Sequence, residues 1–135
     1  MTDVATTPLD TSPTKPLDIL FQDEVLVVVH KPSGLLVHRS AIDRSETRFA
    51  MQLVRDQIGR LVYPVHRLDR PTSGVLVFAL NPGAARSLSK SFARRQVRKT
   101  YLAVVRGYTV EQGTVDHPLA KDPKARGPHV LRQAA

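Results

Sequence analysis

The chain has no cysteine and no tryptophan, and aromatic residues make up 5% of its 135 positions. Without cysteine there is no disulfide, no thiolate nucleophile and no sulfur-ligated metal. Its five histidines, His30, His38, His66, His117 and His129, show neither His-Glu-x-x-His nor any other close ligand spacing, so no metal is expected. The seven glycines form neither a phosphate-binding loop nor a dinucleotide fingerprint, and no cofactor is expected. Apolar runs stop at six residues, as in Val75–Leu80, far short of a membrane span. Residues 1–16 lack the apolar centre of a signal peptide. These absences point to a soluble, cytoplasmic protein with no membrane contact.

Acidic residues are also in short supply, 12 against 20 lysines and arginines, for a net charge of +8. They are unevenly placed. The first 24 residues hold Asp3, Asp10, Asp18, Asp23 and Glu24 against Lys15 alone, whereas Arg86, Lys90, Arg94, Arg95, Arg98, Lys99 and Arg106 share a stretch with no acid. A concentrated basic face attracts polyanions and speeds their encounter; the plainer reading is a solvated helix face kept soluble by charge.

The hydrophobic content, 41%, is enough for one small core. Met1–Pro16 is rich in Thr, Pro and Asp and reads as a disordered tail. Leu17–Phe21 and Val25–Val29 read as strands of a hairpin, followed by a turn at Lys31-Pro32-Ser33-Gly34. Between Glu46 and Ile58 the residues Phe49, Ala50, Leu53, Val54 and Ile58 follow helical spacing, with Ser45 or Asp43 available as a cap and Gly59 as a stop. Leu61–Val65 reads as a strand, and the continuous apolar run Val75–Leu80 as a central strand buried on both faces. After the break at Asn81-Pro82-Gly83, Ala85, Leu88 and Phe92 line one side of a second helix, away from Arg86, Lys90 and Arg94. Arg98–Arg106 returns to an extended pattern, and the prolines and glycines beyond Gly107 indicate loops. The resulting expectation is an α+β fold: a mainly antiparallel or mixed sheet with two helices, spanning residues 17–118 and followed by a loop-like tail over 119–135.

The chemistry concentrates in His66-Arg67-Leu68-Asp69-Arg70-Pro71-Thr72-Ser73-Gly74. One carboxylate sits between two guanidiniums in a loop feeding a strand. Nearby opposite charge favours the ionised carboxylate, and the same arginines attract phosphate. A carboxylate kept negative on a phosphate-attracting surface is suited to act as nucleophile or base on a nucleic acid. The plainer alternative is an ion pair of Asp69 with Arg67 or Arg70 that merely pins the loop.

This motif closely resembles the active-site segment of the RluA-type pseudouridine synthases. The resemblance continues upstream through Ile19–His38, with its Lys-Pro-x-Gly turn, and downstream through Lys99-Thr-Tyr-Leu-Ala-Val-Val-Arg-Gly107, similar to the family's Lys-x-Tyr-x-Ala-x-Val-x-Gly strand. Val37–Ser40, Asp43-Arg44 and Val54–Gly59 look most like its tRNA-specific TruC branch. The resemblance implies an isomerase that breaks a carbon–nitrogen glycosidic bond and joins the same uracil through carbon, with no cofactor and with RNA, by branch tRNA, as partner. It assigns Asp69 as the catalytic carboxylate and Tyr101 as the aromatic residue against the target base. Arg67 would hold a phosphate or fill the gap left by an extruded base, with His66 and Arg70 organising the loop or holding backbone. RNA affinity falls to Arg94, Arg95, Arg98 and Lys99.

The family's catalytic domain continues to a Gly-Arg-x-His-Gln-x-Arg-type segment carrying a basic partner for the aspartate, and no stretch after Gly107 matches it. The expectation is the N-terminal half of a catalytic domain, inactive and marginally folded alone. His30 stands where the family more often has Asn. Two other readings remain: a non-catalytic RNA-binding remnant, and a hydrolase built from His66, Asp69 and Ser73. The second is disfavoured by the absence of a Gly-x-Ser-x-Gly elbow.

Overall fold

The structure is a computed structural model that describes residues 15–39, 48–121 and 131–133. It divides into two units, 1–99 and 100–135. The disordered tail expected over residues 1–16 falls almost wholly outside the described residues, as do the candidate caps Asp43 and Ser45.

The first unit contains a four-stranded antiparallel sheet and two helices, in the order β1 (Ile19–Gln22), β2 (Leu26–Lys31), α1 (Ala50–Ile58), β3 (Tyr63–Pro64), β4 (Gly74–Ala79) and α2 (Pro82–Ala93). The sheet order is β1-β2-β4-β3. The β1–β2 hairpin turns on Asp23, whose carboxylate accepts from the Val25 and Leu26 amides, each at 2.8 Å. β4 pairs with β2 from Leu26↔Ala79 to Lys31↔Gly74, and it occupies the central position that its apolar run predicted. The register places Val27 opposite Phe78 and Val29 opposite Leu76 on one face. These four side chains pack with Ala50 and Val54 of α1 into the core.

Burial of β4 on both faces holds for only part of its length. On the face opposite Leu76 and Phe78, Ala79 is fully buried whereas Val75 is 59% exposed. An antiparallel strand needs no cover along its whole second face, so the unbroken apolar run overstated burial at the Val75 end.

α1 starts four residues later than its periodicity indicated, and no side chain caps it. The carbonyls of Leu36 and Val37 instead accept from the Ala50 and Met51 amides at 2.7 and 3.0 Å. At the other end Gly59 adopts the left-handed conformation and its N–H closes on the Arg55 carbonyl. Gln57 ties this helix to the chain entry: its amide donates to the Leu17 carbonyl at 2.9 Å and accepts from the Leu17 N–H at 3.0 Å. α2 is capped by Asn81, whose side chain accepts from Ala84 N–H at 2.8 Å. Ala85, Leu88 and Phe92 are half-buried, whereas Arg86, Lys90 and Arg94 are exposed, as the helical pattern required.

The second unit departs from expectation in two respects. Residues 100–118 form no strand, and Leu102, Val104 and Val105 are exposed. The content of Val, Tyr and Leu marks β propensity, but a strand exists only where a neighbour supplies a ladder. The segment expected to be loop-like instead holds two short strands, β5 (Leu119–Lys121) and β6 (Leu131–Gln133), paired antiparallel with Ala120 opposite Arg132. Three residues are too few to display a period of two, so Pro123, Gly127 and Pro128 dominated that reading.

Candidate active site

The site lies on the connection between β3 and β4, residues 65–73. Its geometry begins with an alternation. Leu68 is buried and belongs to the core, while Arg67 and Asp69 on either side of it are exposed. Burying the leucine fixes the loop to the body of the unit and turns its two charged neighbours outward together. An Arg67 guanidinium nitrogen lies 3.6 Å from the Asp69 carboxylate, with both side chains more than half exposed. A pair so exposed adds little stability; its consequence is to present one anion beside one cation at the surface. A shallow depression beside them is lined by Leu36, Val37, His38, Arg67 and Leu68.

The loop owes its shape to the Lys31–Gly34 turn. Lys31 is fully buried, and its ammonium donates to the carbonyls of Pro32 at 3.0 Å, Leu35 at 2.6 Å and Arg70 at 3.2 Å. An ammonium has three hydrogens, and each finds an acceptor. The Arg70 carbonyl also accepts from Gly34 N–H at 2.7 Å, and Arg70 returns a bond from Nε to the Gly34 carbonyl at 3.0 Å. Ser33 adds a bond from its hydroxyl to the Pro71 carbonyl at 2.7 Å. Gly34 sits at φ +89, where an L side chain would be strained. Burial lowers the Lys31 pKa to about 8, and the neighbouring Asp69 carboxylate opposes that shift.

His66 anchors the start of the loop. β3 ends at Pro64, paired with Phe78, and the His66 ring takes over the β4 edge from there: its Nε2 accepts from Val77 N–H at 2.9 Å. The ring stacks on Phe92 of α2, with centroids 4.4 Å apart and planes within 9°. Burial holds the imidazole below its ordinary pKa, and the nearby Lys99 ammonium pushes the same way.

The expected site residues are therefore brought together in part. His66, Arg67, Asp69 and Arg70 share one loop, and Lys99 acts on His66. Arg94, Arg95 and Arg98 are exposed at and just beyond the end of α2, with Arg95 in the left-handed region at φ 56. Tyr101 is exposed in the second unit. Arg70 is engaged with the turn, so Arg67 is the guanidinium that the structure pairs with Asp69. His66 spends Nε2 on a backbone amide rather than on Ser73, and the hydrolase arrangement is not assembled. Sequence reasoning missed Lys31 and Leu68 as parts of the site. Lysine and leucine in such settings read as a turn residue and a loop residue; only the Lys-Pro-x-Gly match could have marked the first.

The described residues contain no helix long and apolar enough to cross a membrane and no cluster of three or more His, Asp or Glu that could hold a metal ion.

Residues 25–133 match the family described as RNA pseudouridylate synthase, and the chain belongs to it. The match runs past Pro118, where the recognisable motifs end. Among curated relatives, the protein from Yersinia pestis named tRNA pseudouridine synthase C is 61% identical over 106 residues, covering 78% of this chain and 41% of that protein. The protein of the same name from Pasteurella multocida is 60% identical over 103 residues, covering 76% of this chain and 42% of its own length. This chain thus spans less than half the length of these relatives. Among solved structures, the human RNA pseudouridylate synthase domain containing 4 aligns over 58% of this chain and 30% of its own, at 34% identity and a TM-score of 0.46.

Proposed function

We propose that this chain carries the nucleophile-bearing part of a pseudouridine synthase that isomerises a uridine in tRNA. The observation that carries this reading is the outward pairing of Asp69 with Arg67 on a loop locked by the Lys31 turn, in a chain of this family. The substrate class follows the names of the relatives. The reaction conserves the composition of the nucleoside: the glycosidic bond from N1 breaks, the uracil rotates, a bond from C5 to the ribose C1′ forms, the C5 proton leaves to solvent and N1 takes up a proton in its place. A carboxylate can act in it without a separate base to activate it, either by adding to the uracil or by attacking the ribose C1′. Reaching the uridine requires its extrusion from the stack. Arg67, beside the nucleophile, is suited to hold the displaced backbone or fill the vacated space. Tyr101 would stack on the base, an interaction worth roughly 1–3 kcal/mol. Arg94, Arg95, Arg98 and Lys99 would track the phosphates, and such an enzyme would work in the cytoplasm beside its tRNA.

The test is tritium release from tRNA labelled at uridine C5, using this chain joined to the C-terminal remainder of the Yersinia pestis relative. Release is expected from the chimera and is expected to vanish with Asp69→Asn, while tRNA binding persists. An Asp69→Asn chimera that releases tritium at the unmutated rate would sink the assignment.

A further inference from the structure

Of the side chains that hold the Asp69 loop, His66 does so neutral and Lys31 does so charged. His66 fastens its start by accepting the Val77 amide hydrogen at Nε2. A backbone N–H can only donate, so this bond exists only while Nε2 is unprotonated and the ring proton sits on Nδ1. Lys31 fastens its middle through a bond donated to Arg70, while its other two hydrogens go to Pro32 and Leu35 of its own turn. Three donated bonds require three hydrogens, and therefore the ammonium form. We propose that the loop presenting Asp69 keeps its shape only in the pH interval where His66 is neutral and Lys31 is charged. Both are then positioning residues that set the acid and alkaline limits of the site without touching substrate.

The surroundings of each group agree with this. Around His66, β4 and β3 contribute no charged residue, and α2 contributes the exposed cations Arg86 and Lys90. Lys99 follows α2, and Arg67, Asp69 and Arg70 lie on the ring's own loop. Burial first, and then Lys99, keep imidazolium from forming until the pH is below the ordinary 6.5. Around Lys31, the turn Pro32–Leu35 and the partner strand β4 hold no titratable group, His30 on β2 is exposed, and the Asp69 carboxylate favours the ammonium. Burial outweighs it and brings loss of the proton down to about pH 8.

The signs follow. Below the His66 pKa a proton at Nε2 replaces the acceptor with a donor facing a donor, and the Val77 amide is orphaned. Above about 8 the Lys31 amine keeps two hydrogens for three carbonyls, and one of its three bonds is lost. A bell-shaped pH profile at this site would accordingly report the scaffold, although such profiles are ordinarily assigned to the reacting acid and base. The effect on catalysis rests on the reading of Asp69 given above; the effect on the loop does not.

The experiment is nuclear magnetic resonance on the labelled chain from about pH 5 to about pH 9.5, spanning both ordinary ranges. At neutral pH the ring nitrogens of His66 are expected to show the Nδ1–H tautomer. On acidification the Val77 amide should lose protection against hydrogen exchange, corrected for the intrinsic rate, by up to about tenfold per pH unit, as single-proton linkage requires. Its midpoint should coincide with that of the His66 ring. On raising the pH, the Gly34 amide, which shares the Arg70 carbonyl with Lys31, should lose protection with the midpoint of the Lys31 Cε signal, while Val77 stays protected. His66→Gln supplies an acceptor that does not titrate and should flatten the acid limb alone. An Nε2–H tautomer, or a Val77 or Gly34 amide indifferent to its partner's titration, would overturn the proposal. So would a chain without a dispersed spectrum at pH 7, since the loop must be ordered there. If the loop responds as stated while the chimera releases no tritium, the catalytic reading fails and this one stands.

Discussion

Arg67, Leu68 and Asp69 alternate out, in and out, and that alternation carries the arrangement of the site. The leucine matters as much as the charges, because it is the plug that orients them. Leu68→Ala is expected to destabilise the unit by about 2–5 kcal/mol, the usual range for emptying a core leucine. It should also lower tritium release by the chimera, whereas Leu68→Met should cost below about 1.5 kcal/mol. Denaturant unfolding of both variants measures the first effect. Equal stabilities would show that Leu68 is not a plug. At this scale the sequence disclosed the charged residues and hid their supports. His66, Arg67, Asp69 and Arg70 announce themselves by type and spacing, but nothing in the letters says that Lys31 will point inward. Its role appears only when the carbonyls of Pro32, Leu35 and Arg70 converge on it.

The elements best read from sequence are those with a complete local signal. The Asp23 hairpin has its turn residue, α1 has its periodicity and Gly59 stop, and α2 has Asn81 and Pro82 at its start. What failed depended on neighbours remote in sequence. The start of α1 is satisfied by carbonyls of residues 36 and 37, which no cap rule identifies. Residues 98–106 carry strand composition without a strand, because a ladder needs a second chain segment. The reciprocal bonds of Gln57 with Leu17 give a test at this level. Gln57→Glu keeps the acceptor for the Leu17 N–H and loses the donor to its carbonyl. The expected cost is about 1 kcal/mol, the net worth of one ordinary hydrogen bond, read as a lowered midpoint in thermal unfolding. An unchanged midpoint would mean that the entry segment is held by the burial of Leu17 alone.

The molecule as a whole presents two surfaces of different character. One is the basic run along and after α2, with Arg86, Lys90, Arg94, Arg95, Arg98 and Lys99 all exposed. Replacing Arg94 and Arg95 by Ala is expected to reduce the salt slope of tRNA binding by about 1.4–1.8, two phosphate contacts at about 0.7–0.9 each. Fluorescence titration at several salt concentrations reads this directly, and an unchanged slope would make the cluster a solubility feature. The other surface is apolar. Ile19, Leu20 and Phe21 on the edge strand β1 are exposed. An uncovered edge of this kind pairs readily with other chains. The chain purified alone is therefore expected to self-associate with rising concentration in sedimentation experiments and to release no tritium from labelled tRNA. Monomeric behaviour with multiple turnovers would show that the length present here suffices.

The clamp between the Lys31 turn and the Asp69 loop joins residues 39 positions apart through Lys31 and Arg70, and 38 apart through Ser33 and Pro71. Contacts of that separation must pay for closing a long loop before they repay it. The clamp also waits on β4, which carries the loop back alongside β2 and follows it in the chain. Synthesis from the N-terminus therefore delivers the Lys31 turn well before the Arg70 carbonyl that completes its three bonds. During that interval a lysine destined for complete burial lies open to water. The site is thus completed only once the central strand pair has formed, and slower refolding in variants of Lys31 would be its kinetic signature.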